Sequence, residues 1–172
     1  VLAEIVRVAE LVRGEAEGDV IVAQNEAQRR DIWETRKFLS TNLKALHPKK
    51  LAEDVAVPRS RIPEMVARSR DIASRHGLAV ATYGHSGDGN LHVNILFDTE
   101  AQRPEVEKAV AEVLRAAVDL GGTITGEHGV GLAKRDFLEY EQGRDLVAVQ
   151  RRLKDLFDPL GILNPGKIFP ER

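Results

Sequence analysis

The 172-residue chain contains no cysteine, and it has only one methionine, one tryptophan and two tyrosines. Without cysteine there is no disulfide framework, no thiolate zinc site and no cysteine nucleophile, and a reducing compartment fits. Neither sign of charge dominates, since 25 Lys and Arg stand against 27 Asp and Glu for a net of -2. That balance offers no electrostatic footprint for nucleic acid or an anionic membrane surface. No apolar run approaches the roughly 18 residues of a membrane-spanning helix. The opening Val1-Leu2-Ala3-Glu4-Ile5 has neither an initiator methionine nor a basic-then-apolar leader, so the chain reads as cut from something longer. What is present suffices for a core. Hydrophobic residues make up 42% of a length that favours one domain needing no covalent staples.

Along the chain, Leu2, Ile5, Val6, Ala9, Leu11 and Val12 have helical spacing up to Gly14 and Gly18. Val20-Ile21-Val22-Ala23 reads as a short buried strand. A helix is expected over 26–46, with Ile32, Trp33, Phe38, Leu39, Leu43 and Leu46 as its buried stripe, closed by His47-Pro48. Glu53 to Pro58 reads as a strand, and Ser60 as the N-cap of a helix over 61–76 that Gly77 stops. Strands are expected over 78–83 and 91–97, on either side of the glycine-rich Gly84-His85-Ser86-Gly87-Asp88-Gly89-Asn90. Helices are expected over 104–120 and 144–157. Between them lies a second glycine-rich loop, Gly126-Glu127-His128-Gly129-Val130-Gly131. The tail from Pro159 carries too much glycine and proline to be helix or strand. Strands alternating with helices, joined partly by short turns, imply an α+β fold with helices on one face of a largely antiparallel sheet.

The chemistry concentrates at the two glycine-rich loops, which hold or adjoin His85, His92 and His128. His47 and His76 fall at helix ends, where an imidazole commonly meets free carbonyls. In Leu91-His92-Val93-Asn94-Ile95-Leu96-Phe97 the period of two puts His92 and Asn94 on one face, opposite Leu91, Val93, Ile95 and Phe97. A half-solvated strand with a polar outer face is one reading. The other is a polar pocket, because the Gly87/Gly89 turn can fold His85 back toward His92. Two imidazoles with the Glu127 carboxylate are what a borderline divalent cation such as zinc, manganese or iron prefers. The spacing alone leaves a plain glycine turn equally open. In an extended loop the side chains of Glu127 and His128 diverge, which leaves His128 free as a general base. The first loop lacks the lysine and hydroxyl of a phosphate cradle, and a strand follows where a dinucleotide site needs a helix.

Three strings taken in order resemble the C-terminal half of the FAD-linked oxidases: Gly84-His85-Ser86-Gly87-Asp88-Gly89-Asn90-Leu91-His92, Gly122-Thr123-Ile124-Thr125-Gly126-Glu127-His128-Gly129 and Leu163-Asn164-Pro165-Gly166-Lys167. This is the group of D-lactate dehydrogenase, the glycolate oxidase flavoprotein subunit and D-2-hydroxyglutarate dehydrogenase. The resemblance implies a ferredoxin-like cap domain over 1–172, whose 159–172 tail returns to a preceding FAD-binding domain absent from this sequence. It implies a divalent metal, zinc or manganese, on His85, His92 and Glu127. It makes His128 the base on the substrate hydroxyl and places Asn94 at the substrate. In the context Ile32-Trp33-Glu34-Thr35-Arg36, it gives Arg36 the substrate carboxylate, with Ser40 beside it on the helix face that carries Trp33. Asn164 then reaches the flavin. A lysine that helps in some relatives is not carried over, since Ala52 falls near its position.

These implications describe the substrate and metal domain of a flavoprotein that oxidises a D-2-hydroxy acid. Its partners are its own FAD domain, a small hydroxy acid and an unidentified electron acceptor, without nucleic acid; homo-oligomers are compatible. The location is cytoplasmic, with any membrane attachment peripheral and through an electron-transfer partner. The isolated chain is expected to be inactive. A free-standing metallohydrolase and a non-catalytic interaction module are the competing functions.

Overall fold

The computed structural model describes residues 21–170 together with Glu4, Val6, Arg7 and Glu10. The helix expected over 2–12 therefore lies largely outside the described residues, although those four positions are helical. The chain divides into two compact units, residues 1–43 and 44–172.

In the first unit the strand expected at 20–23 does not form over 21–23, and Val20 lies outside the described residues. Residues 21–24 are irregular, and Ile21 is 79% exposed. A short run of β-branched or small residues with no pairing partner buries too little to order an extended segment. The long helix also differs from expectation, breaking at Phe38 into α1 (Glu26–Lys37) and α2 (Leu39–Leu46). Asn25 caps α1 by accepting from the Gln28 amide, and the Phe38 amide closes it on Glu34. Of the expected buried stripe, Ile32, Trp33, Phe38 and Leu46 are exposed and Leu43 is half-buried, while the Leu39 side chain lies outside the described residues.

The second unit holds β1 (Lys49–Ala56), α3 (Ile62–Arg75), β2 (Ala79–His85), β3 (Asn90–Phe97), α4 (Arg103–Asp119), α5 (Leu138–Gln142) and α6 (Arg144–Phe157). The three strands form an antiparallel sheet in the order β1-β3-β2, so the α+β reading holds. Period-two alternation sends Val55, Leu91, Val93, Ile95 and Phe97 to one face of the sheet. There they meet Met65 and Ile72 of α3 and Val106, Ala109, Val110, Val113 and Ala117 of α4, at the three-and-four spacing of an amphipathic helix. Each fully buried Val or Ile in this layer contributes about 1.5–3 kcal/mol, and the central strand β3 is buried at every position except His92.

The start of α3 also departs from expectation. A 3-10 turn at Arg59–Arg61 leads into it, and no side chain caps it; Ser60 lies within the turn. Its end is as read, with Gly77 at φ 66° and Leu78 N donating to Ala73 O at 2.9 Å. His76 there meets Glu105 and Glu112 of α4, each at 2.9 Å, and hydrogen bonding to the two carboxylates raises the pKa of its imidazole. Among the described residues no helix is long and apolar enough to cross a membrane.

Candidate metal centre

The site lies on the other face of the sheet. The ladder sets Asp54 of β1 and Tyr83 of β2 directly across from His92, and Ala52 and Ala81 across from Asn94. The end of β1 then gathers both glycine-rich loops. Val57 N donates to Gly89 O at 3.1 Å in the β2–β3 loop. Ala56 and Thr123 exchange backbone hydrogen bonds of 3.2 and 2.8 Å at the entry of the second loop. The close approach explains two of the glycines. A Cβ at Gly89 would stand 2.0 Å from Val57 O, and one at Gly122 would stand 2.1 Å from Ala56 O.

The second loop is not extended but curled around one atom. Asp54 Oδ2 accepts from the amides of Gly126, Glu127 and His128, each at 2.9 Å, and from Thr125 Oγ1 at 3.2 Å. Burial alone would raise the Asp54 carboxyl. The His128 and Glu127 amides, the Lys134 ammonium and the Thr125 hydroxyl outweigh it and hold the pKa at about 2. Lys134 is buried beside the same strand, with Nζ donating to Asp54 O at 2.7 Å and lying 3.4 Å from Glu53 Oε2. Burial of Glu53 raises its pKa despite this ammonium.

Because the loop is curled, the side chains of Glu127 and His128 converge rather than diverge. Glu127 Oε1 lies 3.6 Å from His92 Nε2 and 3.6 Å from His128 Nε2, and the His92 and His128 rings stack with centroids 5.6 Å apart. Among the described residues, Asp54, His92, Glu127 and His128 form a group with one ligand atom each, all within 4.8 Å of one another. Two imidazoles and two carboxylates fit a borderline divalent cation by donor type. A buried Asp54 Oδ1 without a hydrogen-bond partner fits it as well. His85 stands outside this group. Its ring approaches the edge of His92 at a centroid distance of 5.9 Å, which makes it a neighbour of the cluster and not a member.

The remaining expected residues are placed as follows. Asn94 shares the His92 face but is fully buried, with Nδ2 donating to Ala81 O at 3.2 Å and His92 O at 3.1 Å; its Oδ1 has no hydrogen-bond partner. Arg36 is exposed on α1, its guanidinium 5.2 Å from the centroid of the Trp33 ring. Ser40 belongs to α2, past the break at Phe38, so it does not continue the α1 face, and its side chain lies outside the described residues. Asn164 has φ 46° and, with Arg135, Arg151, Lys154 and Lys167, lines a cavity of about 310 Å³.

Sequence reasoning missed Asp54 and Lys134. The signal was present: two adjacent carboxylates inside a strand expected to pack are anomalous, because acidic residues are seldom buried unless paired.

The sequence matches the family described as FAD linked oxidases, C-terminal domain, over residues 2–168. It is 41% identical over 157 residues to glycolate oxidase subunit GlcD of Bacillus subtilis (strain 168), covering 88% of this chain and 33% of that protein. It is 41% identical over 153 residues to the mitochondrial D-lactate dehydrogenase [cytochrome] of Kluyveromyces lactis, covering 86% of this chain and 26% of that one. It is 34% identical over 160 residues to the D-2-hydroxyglutarate dehydrogenase of Stutzerimonas stutzeri (strain A1501), covering 88% and 33%. The chain thus spans about a third or less of the length of these relatives. In fold it resembles a 4-ethylphenol oxidase from Gulosibacter chungangensis, solved as an isoeugenol complex, with a TM-score of 0.61 at 21% identity over 99% of this chain and 36% of that one. By the family match and the identity to these relatives, the chain belongs to the C-terminal domain family of the FAD-linked oxidases.

Proposed function

We propose that this chain is the substrate- and metal-binding part of a flavoprotein that oxidises a D-2-hydroxy acid to the 2-oxo acid. The observation that carries the reading is the convergence of His92, Glu127, His128 and Asp54 on the polar face of the sheet. The named relatives are a glycolate oxidase subunit and two hydroxy-acid dehydrogenases, which favours oxidation over a free-standing metallohydrolase.

His92 and Glu127 hold the metal in this reading, together with His85, whose ring centroid lies 5.9 Å from that of His92. His92 is only 19% exposed, which suits a ligand fixed in one orientation. His128, at 64%, is the imidazole with access to an incoming molecule. It takes the proton of the substrate hydroxyl as a neutral base. Asn94 backs the pocket beneath His92, and Arg36 binds the substrate carboxylate through its planar fork. A divalent metal held by His92 and Glu127, zinc or manganese in this reading, would supply charge stabilisation, and FAD, when bound, would supply a hydride acceptor.

FAD belongs to the part of the protein outside this sequence. Leu156, Phe157, Leu160, Ile162 and Leu163 are exposed and are the apolar residues this part would cover, with Asn164 next in sequence as the residue that reaches the flavin. An apolar surface of this kind is typical of a docking face.

The test uses the full-length flavoprotein. His128→Ala lowers the rate of flavin reduction by a D-2-hydroxy acid by about two to four orders of magnitude, with metal content unchanged. If the variant also loses its metal, His128 is a ligand and the assignment as base fails.

A further inference from the structure

We propose that Asp54 is the positioning residue of this centre: by accepting three consecutive amides of the second loop, it sets where Glu127 and His128 point relative to His92. The inference rests on the proposed function for its metal readout, but its geometric part does not.

The argument begins with register. Asp54 is the β1 residue directly opposite His92, so its Cα position relative to that imidazole is fixed by the β1–β3 ladder. Its Oδ2 accepts from Gly126 N, Glu127 N and His128 N at 2.9 Å and from Thr125 Oγ1 at 3.2 Å. Successive amides can aim at one anion only if the backbone is wound around it. That winding brings the Glu127 carboxylate within 3.6 Å of both imidazoles, whereas an extended loop would separate the two side chains. Thr125 reinforces it from the other side, since its Oγ1 also accepts from Gly129 N at 2.8 Å.

The anchor itself is held. Lys134 Nζ, buried, donates to Asp54 O at 2.7 Å, so both the backbone and the side chain of Asp54 are tied to the second loop and the segment after it. Asp54 Oδ1 is buried without a hydrogen-bond partner, and a carboxylate oxygen of this residue lies within 4.8 Å of the ligand atoms of His92, Glu127 and His128. One side chain therefore links the ladder position of His92 to the loop that carries the other two groups.

The test is Asp54→Asn in the full-length protein, which keeps the size of the side chain and removes its charge. Hydrogen exchange, read amide by amide without metal, is expected to speed up at least tenfold at Gly126, Glu127 and His128, while the β1–β3 ladder amides hold their protection. Divalent-metal affinity, measured with zinc and with manganese, is expected to fall about 10–100-fold with the fold retained, the usual size of an outer-shell effect. Unchanged exchange overturns the proposal whatever the metal does. Faster exchange with wild-type metal affinity overturns the claim that Asp54 positions the centre. Faster exchange in a protein whose wild type binds neither metal supports the positioning of the loop and removes the metal reading instead. If the variant does not fold, the wild type decides: three amides protected like the ladder support the proposal, and exchange at the rate of open loop refutes it.

Discussion

Replacing Lys134 by Met tests the buried support of the site. Lys134 Nζ and the Glu53 carboxylate are 3.4 Å apart with side chains 7% and 8% exposed, and the ammonium also donates to Asp54 O. Methionine fills the volume and removes the charge, which leaves Glu53 unpaired and buried. Breaking such a pair ordinarily costs about 3–5 kcal/mol. Here protonation limits the loss. Glu53 has an ordinary value of 4.5, so neutralising it at pH 7 spans 2.5 units, or about 3.4 kcal/mol. A lost hydrogen bond to Asp54 O adds about 1 kcal/mol. The expected loss is about 2–4 kcal/mol at pH 7.

The pH dependence gives the sign. In the variant the folded Glu53 has a raised pKa and binds its proton more tightly than the unfolded chain. Variant stability therefore falls as pH rises from 4.5 toward that raised value. At pH 5 the protonation limit is only about 0.7 kcal/mol, so the loss falls below about 2 kcal/mol. Urea unfolding followed by far-ultraviolet circular dichroism at the two pH values measures it, with Glu53→Gln/Lys134→Met as the control that removes the pH dependence. A loss under about 1 kcal/mol at pH 7, or one equal at both pH values, refutes the argument.

His76→Gln removes the imidazole between Glu105 and Glu112. The raised pKa of His76 makes its contribution complete below about 6.5 and lost as pH rises through the folded value, so the Tm difference from wild type is largest below about pH 6.5 and shrinks as pH rises above it; a difference that widens with pH contradicts the assignment. Arg36→Lys in the full-length protein raises KM for the hydroxy acid more than about tenfold, because a point charge does not replace a planar fork. An unaltered KM makes Arg36 a solvated helix residue whose role ends at its contact with Trp33.

The parts of the fold legible in the sequence were those governed by local rules. The period of two in β3, the glycine at the end of α3 and the apolar spacing of α4 each specify their element without knowledge of the rest of the chain. The break at Phe38 was not legible, because residues 26–46 carry helix-compatible residues throughout and contain no glycine or proline. The strand expected at 20–23 failed for the opposite reason: β-branched residues state a preference, but only pairing makes a strand. At the site, His92, Glu127 and His128 were legible from their place beside glycine turns. The curl of the second loop was not, since it depends on a carboxylate 72 residues before Gly126. The same long-range hydrogen bonds explain why Glu127 and His128 converge when a local reading separates them.

The most direct measurement of the central claim is the metal content of the full-length flavoprotein, by elemental analysis of wild type, His92→Ala and Glu127→Gln purified alike. The account predicts one zinc or manganese per chain in the wild type and its loss from both variants, with the fold retained. Wild-type stoichiometry in His92→Ala, or no divalent metal in the wild type, would contradict it.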